Sequence, residues 1–153
     1  MSFSRILVPV DYSDHCRSAL DYALFLAGQL GANVDIVHIW DRPEYVPDMT
    51  VLGKDGSPSR SLVDMIRDNA EAEMTDFLAK VKVPPGVTLT HHLESGEPAS
   101  AILTTAQRTG ADLVVIGTHG RTGVRYLLLG SIAEKLVRMC STPVLTIPPK
   151  AEP

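Results

Sequence analysis

Apolar positions fall along this chain in two alternating rhythms: short continuous runs and longer stretches at helical spacing. Arg5-Ile-Leu-Val-Pro-Val10 is apolar at consecutive positions, so both faces of a strand there would be buried, as in the centre of a parallel sheet. Pro9 has no N–H for a sheet ladder and is expected to mark that strand's end. Asp11-Tyr-Ser-Asp14 supplies turn residues, with Ser13 the expected N-cap. Cys16, Ala19, Leu20, Ala23, Ala27 and Leu30 then recur at helical spacing, and Gly31 closes the helix.

The rhythm repeats. Asn33–Trp40 reads as a second strand. Residues 41–61 hold prolines at 43, 47 and 58 and read as a long mobile loop with a short helical turn. A loop of that length inside a domain is usually functional or disordered. Leu62, Val63, Ile66, Ala70, Met74, Phe77, Leu78 and Val81 mark a second helix, stopped by Pro84-Pro-Gly86. Val87–Leu93 alternates enough to be an edge strand. A short third helix follows Gly96-Glu-Pro98 and ends at Gly110. Asp112–Ile116, a glycine-rich segment, a fourth helix from Ile132 to Cys140 and a last strand over 142–147 complete the chain.

The order β-α-β-α-β-α-β-α-β predicts one α/β domain over residues 1–150. It is a doubly wound five-stranded parallel sheet with strand order 3-2-1-4-5 and helices on both faces. Ligands in such sheets bind beyond the carboxyl ends of the strands where the order reverses, here between the first and fourth strands. Asp11 ends the first, and Gly117 ends the fourth.

The segment after the fourth strand carries the densest chemistry. Gly117-Thr-His-Gly120 … Gly130-Ser131 reads G-x2-G-x9-G-S between a buried strand and a helix start. Backbone N–H groups and a helix N-terminus together suit phosphate. Gly117 allows a sharp exit, Gly120 a close approach of backbone to ligand, and Gly130-Ser131-Ile132 offer N–H groups and a hydroxyl. The helix dipole adds about 0.3–1 kcal/mol. Arg121 or Arg125 either contacts phosphate or merely solvates the loop. The spacing is neither the nucleoside-triphosphatase loop nor the dinucleotide fingerprint. Asp11 suits a ribose hydroxyl or a bridging metal, or is a plain turn residue. Pro9, Val10, Ile39 and Ile116, at strand ends, would line an adenine slot.

These motifs together resemble the universal stress protein family in its ATP-binding branch. The resemblance runs over nearly the whole chain: the opening I-L-V-P-V-D-x-S, Val37-His38-Ile39, Gly96-x-Pro98, D-L-V-V-I-G, the glycine motif and the closing T-P-V-L. It implies that Pro9, Val10 and Asp11 border adenine and ribose, and that Ile39 and Ile116 touch the base. It also implies that Gly117, Gly120, Gly130, Ser131 and Ile132 hold ribose and phosphates. Val10 stands where many relatives carry Thr, which removes one polar contact. The implied function is that of an ATP-binding stress-response sensor or regulatory module, with Mg or Mn bridging the phosphates. A homodimer through residues 143–147 of the last strand is implied as well. The alternative is a slow ATPase or self-phosphorylating enzyme, with only His119, Ser131 and Thr118 as acceptors or water-positioning groups. No catalytic residue and no protein metal site are expected.

Composition narrows the field further. The chain has 153 residues, 44% apolar and 21% charged, with a net charge of -4, and no basic block suited to nucleic acid. No apolar run approaches the roughly 20 residues of a membrane span. No signal peptide is read at the start, so a cytoplasmic location is expected. Cys16 and Cys140 fall on apolar helix faces and read as buried thiols. His38 reads as a satisfied core histidine, and His91 and His92 point to opposite faces of their strand.

Overall fold

The computed structural model describes residues 2–42, 50–51, 55, 60–118 and 129–148, and every structural statement below concerns these. They fall into two compact units, one of residues 1–39 with 82–153 and one of residues 40–81.

The first unit holds a five-stranded sheet. Its strands are β1 (Arg5–Pro9), β2 (Asn33–Trp40), β5 (Leu89–Ser95), β6 (Leu113–Gly117) and β7 (Val144–Ile147). They lie in the order β5-β2-β1-β6-β7, which is 3-2-1-4-5 counted over the sheet alone. The pairs β1–β2, β1–β6 and β6–β7 are parallel. The reversal between the first and fourth sheet strands is therefore present.

Three helices cover this sheet on both faces. In β1, Leu7 faces one way and Ile6 and Val8 the other, because strand side chains alternate. Leu7, Val37, Val114 and Ile116 form one core with Ile102 and Ala106 of α3 (Pro98–Thr109) and Ala133 and Leu136 of α4 (Ser131–Met139). Helix α1 (Asp14–Leu30) packs against β1, β6 and β7 and buries Ala19, Leu20, Ala23, Leu24 and Ala27.

The caps explain the helix limits. Ser13 Oγ accepts from Cys16 N at 3.3 Å to start α1, and Gly31 ends it at φ 68, a left-handed conformation that a glycine adopts without a Cβ penalty. Glu97 starts α3 by accepting from Ser100 N at 2.8 Å, with Pro98 in the first turn. That carboxylate is also 3.0 Å from Lys135 Nζ on α4. The backbone N–H of Ser100, with Lys135 beside it, holds the Glu97 carboxyl down at about 2.

The edge strand β5 begins two residues later than the alternation suggests. Its start is set by tertiary bonds: Val34 N donates to Thr88 O at 2.9 Å, and Thr88 N donates to Asn33 Oδ1 at 3.0 Å. At the other end of the sheet's strands, Asp112 ties the start of β6 to the start of β1. Its carboxylate accepts from Ser4 N, Ser4 Oγ and Arg5 N at 2.7, 2.8 and 3.1 Å. Partial burial pushes the Asp112 carboxyl up, but these three bonds outweigh it and hold the group below the ordinary aspartate value.

The second unit contains a short antiparallel pair, β3 (Thr50–Val51) with β4 (Arg60–Ser61), leading into α2 (Leu62–Leu78). Within the 41–61 stretch, read from sequence as a loop, the chain thus makes a two-residue ladder. Residues 43–49, 52–54 and 56–59, with the expected helical turn, lie outside the described residues. Ser61 caps α2 through Asp64 N, and Arg60 pairs with Asp68. The helix stops at Leu78, short of Val81.

Candidate functional site

The sheet is unzipped at one place. The β1–β2 ladder runs to Pro9–Val37, and the β6–β7 ladder runs to Gly117–Ile147. The β1–β6 ladder between them stops earlier, at Leu7–Val114. A crevice between the carboxyl ends of β1 and β6 follows, at the point where strand order reverses.

Pro9 accounts for the stop. In a parallel strand the bonding direction alternates residue by residue. Val10 N donates to Val37 O at 2.8 Å, toward β2, while Arg5 O accepts from Asp112 N at 3.0 Å, toward β6. Position 9 therefore faces β6. The bond after Leu7–Val114 would run from N of residue 9 to Val115 O, and proline has no N–H to give.

The β1 side of the crevice is tightly built. Val10 is buried at 5% exposure. Asp11 Oδ1 accepts from Ser13 N at 3.0 Å and from Ser13 Oγ at 2.5 Å, so the turn role read for Asp11 is real. Tyr12 takes φ 64, a conformation that costs a bulky residue energy and clusters at functional sites. Its ring stacks on His38 at 4.2 Å. His38 Nδ1 is 2.8 Å from Val10 O. The core histidine thus fixes both the carbonyl and the ring that flank Asp11. Burial pushes the Cys16 thiol up to about 11, so it stays protonated and is no nucleophile.

The β6 side presents a helix start. Thr118 N donates to Ile147 O at 2.9 Å, and Gly130 N donates to Thr118 O at 2.6 Å. Gly130 is the N-cap of α4 and offers no side-chain cap. Its φ of -68 and ψ of 155 suit any residue, so conformational freedom does not explain a glycine there. Room for a close neighbour does. Ser131 and Ile132 follow, both exposed, at the electropositive end of the helix.

The sequence reading placed the N–H groups of Gly130, Ser131 and Ile132 together on a phosphate. The structure alters this for one of them, because the Gly130 N–H is already bonded to Thr118 O. Ile116 is buried among the α3 and α4 side chains, and Ile39 packs partly buried against the same core. Pro9, Val10, Asp11, Ile116, Gly117, Gly130, Ser131 and Ile132 thus gather on β1, β6 and the start of α4, with Ile39 on β2. Gly120, Arg121, Arg125 and His119 lie outside the described residues. Sequence reasoning gave no place to Tyr12 and gave Thr118 only an acceptor role. The signal for Thr118 was its position next to Gly117; Tyr12 had none, since a positive φ is not legible in a tyrosine.

Other chemistry is modest. Among the described residues, no three His, Cys, Asp or Glu side chains stand together as metal ligands. A shallow pocket of about 270 Å³ lies along α3, but its Glu94 and Arg108 pair with each other and its Glu97 pairs with Lys135. No helix among the described residues is long and apolar enough to cross a membrane.

Comparison with known proteins agrees with this geometry. A model of the universal stress protein family matches residues 2–148. Universal stress protein YxiE of Bacillus subtilis is 32% identical over 95% of this chain and 99% of its own length. Universal stress protein MJ0531 of Methanocaldococcus jannaschii is 31% identical over 98% of this chain and 85% of its own. A Burkholderia pseudomallei structure from the family is 31% identical with a TM-score of 0.66, covering 95% of this chain and 96% of that one. The fold is shared, at lower identity, with two ligand complexes. One is the Archaeoglobus fulgidus universal stress protein with dAMP, at 23% identity and a TM-score of 0.58, covering 96% of this chain and 99% of that one. The other is a universal stress protein with cAMP, at 22% and 0.61, covering 96% and 98%.

Proposed function

This chain belongs to the universal stress protein family, and from that premise we propose that it binds an adenine nucleotide, ATP foremost, and acts as a sensor or regulatory module. The observation that carries this reading is the crevice between β1 and β6, with a glycine-capped helix start beside it. Gly130 has an ordinary backbone conformation, so its missing Cβ is best explained by a ligand lying close. The family members with dAMP and cAMP support an adenine ligand.

In this reading Pro9, Val10, Ile39 and Ile116 line the base, and Asp11 meets the ribose. Gly117, Gly120, Gly130, Ser131 and Ile132 surround the phosphates, with Arg121 adding charge. Phosphate oxygens accept from the Ser131 and Ile132 N–H groups. A Mg or Mn ion, if used, is held mainly by the phosphates, because the described residues offer no ready cluster of protein ligands. The chain acts as one domain over residues 1–150, in the cytoplasm, as a homodimer formed along β7. That strand is a sheet edge, and Leu145 on it is 37% exposed.

A second reading, slow ATP hydrolysis or self-phosphorylation, has one observation in its favour. Ser13 Oγ lies 2.5 Å from Asp11 Oδ1, a hydroxyl on a proton acceptor. Yet the same hydroxyl caps α1 by accepting from Cys16 N, which explains its place without chemistry.

Nucleotide content of freshly purified protein, released by denaturation and resolved by ion exchange, tests both readings. Stoichiometric ATP supports the sensor. ADP or AMP directs attention to turnover, measured next against Gly130→Trp. Empty protein that also shows no calorimetric binding of ATP, ADP, AMP or cAMP removes the nucleotide reading.

A further inference from the structure

We propose that Pro9 is a positioning residue that holds the crevice open by withholding a single backbone donor. The ligand in this statement rests on the nucleotide reading above; the geometry does not.

Both strands continue in the sheet past the point where they part. β1 stays bonded to β2 through Val10 N and Val37 O at 2.8 Å. β6 stays bonded to β7 as far as Gly117–Ile147, and Thr118 N extends that contact to Ile147 O at 2.9 Å. Neither strand has ended at its outer partner when their shared ladder stops at Leu7–Val114. The chain's one residue type without a donor stands where the next shared bond would start. Its parity is also the one that faces β6, shown by Arg5 O accepting from Asp112 N. A parallel ladder otherwise propagates residue by residue. Supplying an N–H at position 9 should extend it to Val115 O, draw the two carboxyl ends together and narrow the space that base and ribose occupy.

The test uses three full-length proteins: the wild type, Pro9→Ala, and a version with lactic acid at position 9. The last has the alanine side chain but an ester oxygen in place of the N–H, so it separates loss of the ring from gain of the donor. Amide exchange by NMR reads whether the amide introduced in Pro9→Ala is protected. Calorimetry reads ATP affinity in all three. The expected result is a protected amide in Pro9→Ala, with affinity lower by about tenfold, the equivalent of one net backbone bond. Affinity in the lactate version returns to that of the wild type.

Free exchange of the new amide overturns the proposal, because the strands then part for another reason. Unchanged affinity in Pro9→Ala overturns it too. So does a lactate version as weak as Pro9→Ala, since the ring and not the missing donor would then matter. If the wild type binds no nucleotide, the nucleotide reading fails by itself. The exchange measurement still supports or overturns the role of Pro9 in keeping β1 and β6 apart.

Discussion

His92 Nε2 on the edge strand β5 lies 2.8 Å from Oδ1 of Asp35, a carboxylate on β2 whose side chain is only 2% exposed. Arg5 Nη1, on β1, is 3.4 Å from the other oxygen. Three neighbouring strands therefore meet on one buried carboxylate, which would be costly to leave without partners. His92→Ala is expected to lower stability by about 1–3 kcal/mol in urea unfolding. Against an Asp35→Ala background the same change should cost clearly less. Equal losses in both backgrounds would mean that the contact contributes nothing.

Glu97 gives the start of α3 a pH dependence. Its carboxyl titrates at about 2 in the folded chain, below its ordinary 4.5. A depressed value means that the stabilisation is present above the ordinary value and is lost as pH falls from 4.5 toward 2. Glu97→Gln should be less stable than the wild type at pH 7. The difference should shrink through that window, followed by thermal melts at stepped pH. A constant difference down to pH 2 would contradict the assignment.

Asp112 acts at the end of the strands away from the crevice. Asp112→Ala removes acceptors for two backbone N–H groups and one hydroxyl, so a loss of about 1–3 kcal/mol is expected. Because its bonds join the amino ends of β1 and β6, ATP affinity of the folded variant should stay within about twofold of the wild type, well under the tenfold of one lost interaction. A large affinity loss would show that the two ends of the sheet are coupled.

At Gly130 stability and binding should separate. The backbone there accepts an alanine, so Gly130→Ala is expected to fold with unchanged or slightly greater stability, by about 0.4–1 kcal/mol. The added methyl meets the proposed phosphates, and ATP affinity should fall by about tenfold or more, a cost of at least one hydrogen bond. Denaturant unfolding and calorimetry on the same preparation check both. A variant that binds as well as the wild type would leave this glycine without a ligand role.

Most of the architecture was legible because it depends on local signals. Ser13 and Gly31 bound α1 as read, and the proline in β1 marked its end. Buried runs placed the strands, and their alternation with helices gave the order of the sheet. What escaped depends on contacts between distant segments. Alternation put His91 and His92 on opposite faces but carried no register, so the partnership of His92 with Asp35, 57 positions away, was out of reach. The glycine motif located the start of α4, yet the commitment of the Gly130 N–H to Thr118 O needed the two ends of the segment in space. The left-handed Tyr12 had no signature at all, since its conformation is imposed by the turn and the His38 ring.

The bond from Gly130 N to Thr118 O also bears on how much the connection after β6 can change. The chain leaves and returns to the same spot, so the residues in between form a side excursion whose length the sheet does not register. Closing a loop becomes costlier only with the logarithm of its length, about 0.6 kcal/mol for each doubling. Insertions after Thr118 should therefore be cheap for folding, and a foreign peptide grafted there would leave the helix start where it is.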